Sequence, residues 1–287
     1  KARDTLYGAR VAVGDITGDG SGEIFVAPGP GPENKAFLKV FRPDGSLIAS
    51  LGPFSNTAFG ATVSAGDIQG DGRYAVALGM AGSSSNTVVL YLLDSSYQFI
   101  EKARLDIPDS SQYPASLAFG DIDGDGRLEL IVSRQGGIDV FAFDENFMPV
   151  KTTMNALTKT DSSVNAYTGQ MTLAAGDTDG DGIDTIILGY SDGQSSLAGI
   201  FSQSTKEGMI KVSGVSNTAP TLSSMDWDGD GRAEILVGNG PLQSNESVLR
   251  VYSATGTLLK ETKVFENSYY GVNAVFGVIN ATGSGRK

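Results

Sequence analysis

An acidic loop opening D-x-x-G-D-G recurs five times along this chain at a nearly constant interval. The copies begin at Asp15, Asp67, Asp121, Asp177 and Asp226, in steps of 52, 54, 56 and 49 residues. A degenerate sixth copy, V-I-N-A-T-G-S-G-R, begins 52 residues further on at Val278. A repeat of this length is one supersecondary unit, copied and stacked.

Each unit reads alike. A short apolar stretch precedes the loop: Ala9 to Val13, Ala61 to Ala65, Ser116 to Phe119, Met171 to Ala175, Thr221 to Met225. A run rich in β-branched residues follows it: E-I-F-V-A, Y-A-V-A-L, L-E-L-I-V, T-I-I-L-G, E-I-L-V-G. After a turn comes an alternating run such as F-L-K-V-F or V-L-R-V-Y. Turns such as Pro43-Asp44-Gly45 lead to a weaker fourth run, from M-I-K-V-S-G-V at Met209 in the fourth unit and from Thr257 in the fifth. No segment sustains a 3.6-residue apolar period. Four antiparallel strands per ~50 residues is the pattern of an all-β fold, the β-propeller of four-stranded antiparallel blades.

The units fall at 7–58, 59–112, 113–168, 169–218 and 219–268, with a partial sixth at 269–287, all in one domain. Tyr269 to Val278 is expected to form the innermost strand of a sixth blade. The expected whole is a six- or seven-bladed ring, with the remaining strands supplied by the rest of a longer chain, since an unclosed propeller leaves exposed strand edges.

Counted from its first Asp, each loop places oxygen-bearing side chains at positions 1, 3 and 5 around a glycine turn. Position 7 offers a carbonyl and position 9 a further carboxylate. Six to eight oxygens suit a hard cation such as calcium. Asp121, Asp123, Asp125, Arg127 (carbonyl) and Glu129 make a complete set, as do Asp226, Asp228, Asp230, Arg232 (carbonyl) and Glu234. The first loop offers Asp15, Thr17, Asp19, Ser21 and Glu23. The fourth offers Asp177, Asp179, Asp181 and the Ile183 carbonyl, with Thr185 at position 9 and Asp184 beside it. The second offers Asp67, Gln69 and Asp71, with Ala75 at position 9. Four to five calcium sites are therefore expected. Asp and Gly also favour plain turns, but turn chemistry does not call for acids at alternate positions, where like charges repel unless a cation offsets them. An EF-hand needs Glu at position 12 and flanking helices; position 12 here is Val26, Leu78, Val132, Leu188 and Val237, each within a strand run.

Composition narrows function. Nearly half of the 33 acids sit in these loops, and the net charge is −12. Nucleic-acid phosphate would be repelled. There is no cysteine and no histidine, so disulfides, thiolate metal sites and Ser-His-Asp chemistry are excluded. No run approaches the ~18 apolar residues of a membrane span, so no membrane insertion is expected. Outside the loops the acids are scattered, as at Asp106, Asp139, Asp144, Glu207 and Glu266. Tyr113, Tyr167, Tyr190, Tyr269 and Tyr270 are candidates for stacking on sugars. Trp227, the lone tryptophan, takes the place of Ile16, Ile68 and Ile122 and is expected to be a buried plug. Asn245-Glu246-Ser247 and Asn280-Ala281-Thr282 match the N-glycosylation pattern.

The units resemble FG-GAP repeats, also called VCBS repeats, of the integrin α-subunit N-terminal propeller type, which read F-G-x-x-V-x-x-G-D-x-[DN]-G-D-G-x-x-D-[IL]-x-V-G-A-P. Tyr7-Gly8, Val11, Gly14-Asp15, Gly18-Asp19-Gly20, Glu23-Ile24 and Ala27-Pro28 carry the likeness in the first unit. Phe59-Gly60, Val63, Gly66-Asp67 and Gly70-Asp71-Gly72 carry it in the second. The resemblance implies calcium in the loop between a blade's first two strands and an extracellular or cell-surface setting. It implies binding of a protein or glycan, adhesion or scaffolding rather than catalysis. The alternative is a lectin or a polysaccharide-degrading enzyme on a propeller.

Overall fold

A computed structural model describes residues 8–29, 31–81, 86–108, 113–134, 137–153, 169–202, 205–212, 218–267 and 271–276. Among them there is no helix. Twenty strands form five four-stranded sheets, one per repeat. The first blade holds β1 (Ala9–Gly14), β2 (Glu23–Pro28), β3 (Leu38–Phe41) and β4 (Leu47–Leu51). The second holds β5 (Ala58–Gly66), β6 (Ala75–Ala81), β7 (Asn86–Leu93) and β8 (Phe99–Ile107). The third holds β9 (Leu117–Gly120), β10 (Glu129–Arg134), β11 (Gly137–Phe143) and β12 (Pro149–Thr153). The fourth holds β13 (Thr172–Gly176), β14 (Thr185–Ser191), β15 (Ser196–Ser202) and β16 (Thr205–Val212). The fifth holds β17 (Thr221–Met225), β18 (Glu234–Gly238), β19 (Val248–Tyr252) and β20 (Leu258–Lys263). In every sheet the strands follow chain order. This is the all-β arrangement of propeller blades.

Two compact units are distinguished. One holds residues up to Leu117 with Phe143–Val150; the other holds Ala118–Ala142 with Lys151–Phe276. Within the first, Phe25, Leu38 and Val40 of the first blade pack against Ala61, Val76, Leu78 and Met80 of the second. Within the second, Ile187, Ile200, Ile210 and Val212 of the fourth blade meet Leu222, Ile235, Val237 and Tyr252 of the fifth. The second strand of a blade lies between two partner strands and, in the second and fourth blades, is buried along its whole length. That explains its continuous apolar, β-branched sequence, in contrast to the alternating fourth strand β8. Each such Leu or Ile contributes about 1.5 to 3 kcal/mol by its burial.

The F-G dipeptide has a packing reason. Phe59 and Gly60 both lie at positive φ, at a register shift between Ala58 and Ala61. The Gly60 amide donates to the Asn34 carbonyl at 2.8 Å, and a Cβ on Gly60 would overlap the carbonyl oxygens of Pro28 and Gly29. One blade's opening thus docks on the turn that follows the previous blade's second strand.

Two expectations need correction. No sixth blade begins: Gly271–Phe276 form no strand, while Tyr269, Tyr270, Gly277 and Val278 lie outside the described residues. The segment keeps the docking contacts of a blade's opening. The Gly271 amide donates to the Asn245 carbonyl at 2.9 Å, and the Val272 carbonyl accepts from Thr221 Oγ1 at 2.8 Å. The fourth strand of the fourth blade begins at Thr205 rather than Met209. It pairs straight back onto β15 from Ser202, with a bulge at Ile200/Phe201. No Gly or Pro stands between Ser202 and Thr205 to mark the reversal in the sequence.

Candidate metal loops

The five loops join the first and second strands of the five blades, and their wiring repeats. Position 1 caps the turn with both oxygens. Asp15 Oδ1 accepts from the Gly18 amide at 2.6 Å and from Asp19 at 3.1 Å, while Oδ2 accepts from Gly20 at 2.6 Å. Asp121 receives Gly124 (2.7 Å), Asp125 (3.1 Å) and Gly126 (2.8 Å). Asp177 does the same with Gly180, Asp181 and Gly182, and these bonds hold its carboxyl below the ordinary value, against desolvation. Asp226 takes Gly229 and Gly231, and Asp67 takes Asp71 and Gly72. Position 5 then caps position 7: Asp19, Asp71, Asp125, Asp181 and Asp230 each accept from the amide two residues on, at 2.8 to 2.9 Å.

Position 9 has a role the sequence did not show. Glu23 Oε2 accepts from the Ile16 amide at 3.1 Å, Glu129 Oε2 from Ile122 at 2.9 Å, and Glu234 Oε2 from Trp227 at 3.0 Å. All three are buried. One carboxylate oxygen therefore ties the loop's entry to its exit strand. Where position 9 is Thr185, a hydroxyl pair with Thr178 at 2.9 Å replaces it.

Three loops bring carboxylates close enough to share a cation. Oxygens of Asp121, Asp123 and Glu129 lie within 4.8 Å of one another, as do those of Asp177, Asp179 and Asp181, and those of Asp226, Asp228 and Asp230. These groups could hold a metal ion. The donors are all oxygens, the chemistry calcium takes, and each loop offers backbone carbonyls besides. Asp125 and Glu234 stand outside those close groups. In the first loop, Thr17 Oγ1 lies 3.3 Å from Asp15 Oδ1 and 3.5 Å from Glu23 Oε1, but Asp15, Asp19 and Glu23 make no such triple. In the second, Gln69 turns away: its Nε2 donates to the Asp144 carbonyl at 3.0 Å. That leaves Asp67 and Asp71 as the loop's only acids.

The crowding shows in the electrostatics. Burial, with Asp123, Asp125 and Asp121 adding repulsion, pushes the Glu129 carboxyl up to about 7, against the Ile122 hydrogen bond that lowers it. Burial and the charges of Asp19 and Asp15 raise Glu23 likewise. The folded metal-free chain thus holds the Glu129 proton more tightly than the unfolded chain. That stabilisation is full below the ordinary glutamate value and is lost as pH rises through about 7. A cation held there would compete with the proton, so its affinity should climb between about pH 5 and pH 7.5. Titration calorimetry in buffers of different ionisation enthalpy would show proton release; an affinity flat across that range would refute the assignment.

In the second, fourth and fifth loops the position-7 side chain reaches back over the preceding loop. Arg73 Nε donates to the Ile16 carbonyl at 3.4 Å, and Arg232 Cγ lies 3.4 Å from where a Gly180 Cβ would stand. Position 8 joins in. The Tyr74 amide donates to the Asp15 carbonyl (2.8 Å), Asp184 to Asp121 (2.7 Å) and Ala233 to Asp177 (2.6 Å). Asp184 returns a second bond, its Oδ2 accepting from the Asp121 amide at 3.0 Å. The Gly before the first Asp is explained by this docking. A Cβ at Gly120 would meet Ala175 Cβ at 2.6 Å and Asp184 Oδ2 at 3.0 Å. The sequence held one signal for it, the glycine preceding four of the five loops.

Outside the loops, Trp227 is not a plug. Its side chain is 49% exposed, against 0%, 2% and 5% for Ile16, Ile68 and Ile122. Lys260 Nζ sits 5.4 Å from its ring centroid, on a β20 exposed along its length. Tyr190 is fully buried, and Tyr113 packs edge-on against Phe59 at 5.6 Å. Tyr167, Tyr269 and Tyr270 lie outside the described residues. Asp139 is a buried ion-pair centre, with Lys151 Nζ at 2.6 Å and Arg134 Nε at 3.2 Å. Asp144 caps a turn through Asn146 and Met148. Asn245 is 2% exposed and its Nδ2 donates to the Gly240 carbonyl at 2.8 Å. Its amide nitrogen is therefore committed, and expression in a glycosylating host should leave Asn245 unmodified, as peptide mass mapping would show. Asn280 lies outside the described residues. No helix of the described residues is long and apolar enough to cross a membrane.

A family model described as an FG-GAP-like repeat matches residues 74–132. A search of curated protein sequences finds no match. Among solved structures, the exotype rhamnogalacturonan lyase YesX is similar at 18% identity and a TM-score of 0.52, over 90% of this chain and 49% of that one. The Aleuria aurantia lectin in complex with α-methyl-L-fucoside aligns at 12% identity and a TM-score of 0.48, over 90% of this chain and 95% of the lectin. An Agrocybe aegerita lectin aligns at 12% and 0.47, over 90% and 80%. The chain spans about half the length of the lyase. At such identities the lyase likeness is one of fold. The chain carries an FG-GAP-like repeat, matched from the close of the Asp67 loop through the whole of the Asp121 loop.

Proposed function

We propose that this chain is a calcium-stabilised, non-catalytic binding or scaffold module that works outside the cell, at a surface or within a larger surface protein. The observation that carries the reading is the set of three close carboxylate groups, in the Asp121, Asp177 and Asp226 loops, at one register of three successive blades. Asp121, Asp123 and Glu129, Asp177 with Asp179 and Asp181, and Asp226 with Asp228 and Asp230 would hold the ions. Bound calcium would supply charge neutralisation. Extracellular modules work in millimolar calcium with sites of ~10⁻⁴ to 10⁻³ M, and FG-GAP-like repeats fit that setting. Against catalysis stand the absence of histidine and the structural engagement of acids outside the loops, among them Asp139 in ion pairs and Asp144 as a turn cap.

One observation favours a lectin as the second reading. Trp227, exposed and flanked in sequence by two acids of a metal group, offers an aromatic face beside Lys260. Calcium calorimetry comes first; three or more oxygen-ligand sites are expected, and no heat at millimolar calcium would end the reading. A glycan array in calcium and in chelator then separates lectin from scaffold. Turnover of a pectin and polysaccharide panel would overturn the non-catalytic assignment.

A further inference from the structure

We infer that adjacent loops take up their cations cooperatively, through the bond that joins the position-8 amide of one loop to the first Asp of the loop before it. This rests on the calcium reading above and adds to it how the sites act on one another.

The last pair carries the argument best. Ala233 lies between Asp230 and Glu234 of the fifth loop, and its amide donates to the Asp177 carbonyl at 2.6 Å. Arg232 lays its stem over Gly180, with Cγ and Nε at 3.4 and 3.5 Å from a Cβ position there. A Gly176 Cβ would meet Ala233 Cβ at 2.9 Å. The fifth loop thus grips the fourth before, at and after its first ligand. Asp177 in turn organises the fourth loop through the amides of Gly180, Asp181 and Gly182.

The coupling follows from which contacts differ between states. With Asp226, Asp228 and Asp230 drawn to one ion, the segment from Asp230 to Glu234 is fixed, and Arg232 and Ala233 present a preformed seat to Asp177. Without the ion the three carboxylates repel, and that seat must be ordered at the expense of the fourth loop's own binding. The same bond links Asp184 to Asp121 and Tyr74 to Asp15. In the last case the second loop, poor in acids, can clamp the first without an ion of its own. Charge alone predicts the opposite sign, because a cation in one loop repels a cation in the next.

Trp227 makes the fifth loop separately readable. It is the only tryptophan and sits between Asp226 and Asp228. The test is terbium luminescence sensitised by Trp227, excited at the red edge of indole absorption, where tyrosine does not absorb. In the unaltered chain the titration should be steeper than a single-site isotherm. Asp179→Ala removes one of the fourth loop's ligands and leaves the Asp177 cap of that loop in place. It should raise the terbium half-saturation at Trp227 roughly five-fold or more, with circular dichroism unchanged. A single-site curve in the unaltered chain, or an unshifted or lowered midpoint in Asp179→Ala, overturns the coupling and leaves the metal sites standing. No sensitised emission together with no calcium heat overturns the metal reading itself.

Discussion

Thermal unfolding in about 10 mM calcium should occur on the order of 10 to 20 °C above unfolding in excess chelator. A ligand that binds only the folded chain stabilises it by RT ln(1 + [L]/Kd). Sites of ~10⁻⁴ to 10⁻³ M give about 1.4 to 2.7 kcal/mol each at that concentration. Three close carboxylate groups sum to roughly 4 to 8 kcal/mol, and each kcal/mol moves the midpoint by about 2 to 4 °C at this chain length. The variants should separate by loop. Asp123→Ala or Asp228→Ala deletes a member of a close group and should remove part of the rise. Gln69→Ala should leave the rise intact, because Gln69 is occupied with the Asp144 carbonyl. Superimposed melts in calcium and chelator would reduce the loops to Asp-Gly turns.

The strands were legible because their determinants are local. Alternation and β-branched runs placed β17, β18 and β19 residue for residue, and most others within two positions. The loops were legible for the same reason, since D-x-x-G-D-G specifies its own turn. What the sequence hid are contacts between repeats. Arg73 reaches Ile16, 57 positions earlier; no local pattern encodes that. Trp227 sits at a position that is apolar and buried in three other loops. Its burial depends on what covers the loop, and here Lys260 of the wholly exposed β20 lies over its ring. Glu23, Glu129 and Glu234 were read as ligands, while half of each carboxylate is spent on the position-2 amide. A side chain with two acceptor atoms can do both, which spacing alone does not reveal. The register of Asp184, one place off the ligand position, likewise became meaningful only when the neighbouring blade was set beside it.

The largest single-residue effect is expected at Gly60, and the comparison with Gly20 isolates its cause. Both sit in the left-handed region, at φ of 72° and 85°. A side chain at either incurs backbone strain, on the order of 1 to 3 kcal/mol. Around Gly20 a Cβ would meet nothing within 4 Å. At Gly60 the same Cβ would run into the carbonyl oxygens of Pro28 and Gly29, which are backbone and cannot swing aside. The Gly60 amide is also bonded to the Asn34 carbonyl, so moving the segment away breaks that docking contact. Gly20→Ala should therefore cost about 1 kcal/mol, and Gly60→Ala at least about 3 kcal/mol, in the range reserved for overpacked cores and broken backbone contacts. Urea unfolding in chelator measures both without a contribution from bound ions. Gly60→Ala should lower the midpoint sharply and raise proteolysis of the first two blades. If the two variants unfold at the same urea concentration, Gly60 is a turn glycine and no more, and the F-G dipeptide does not anchor one blade on the next.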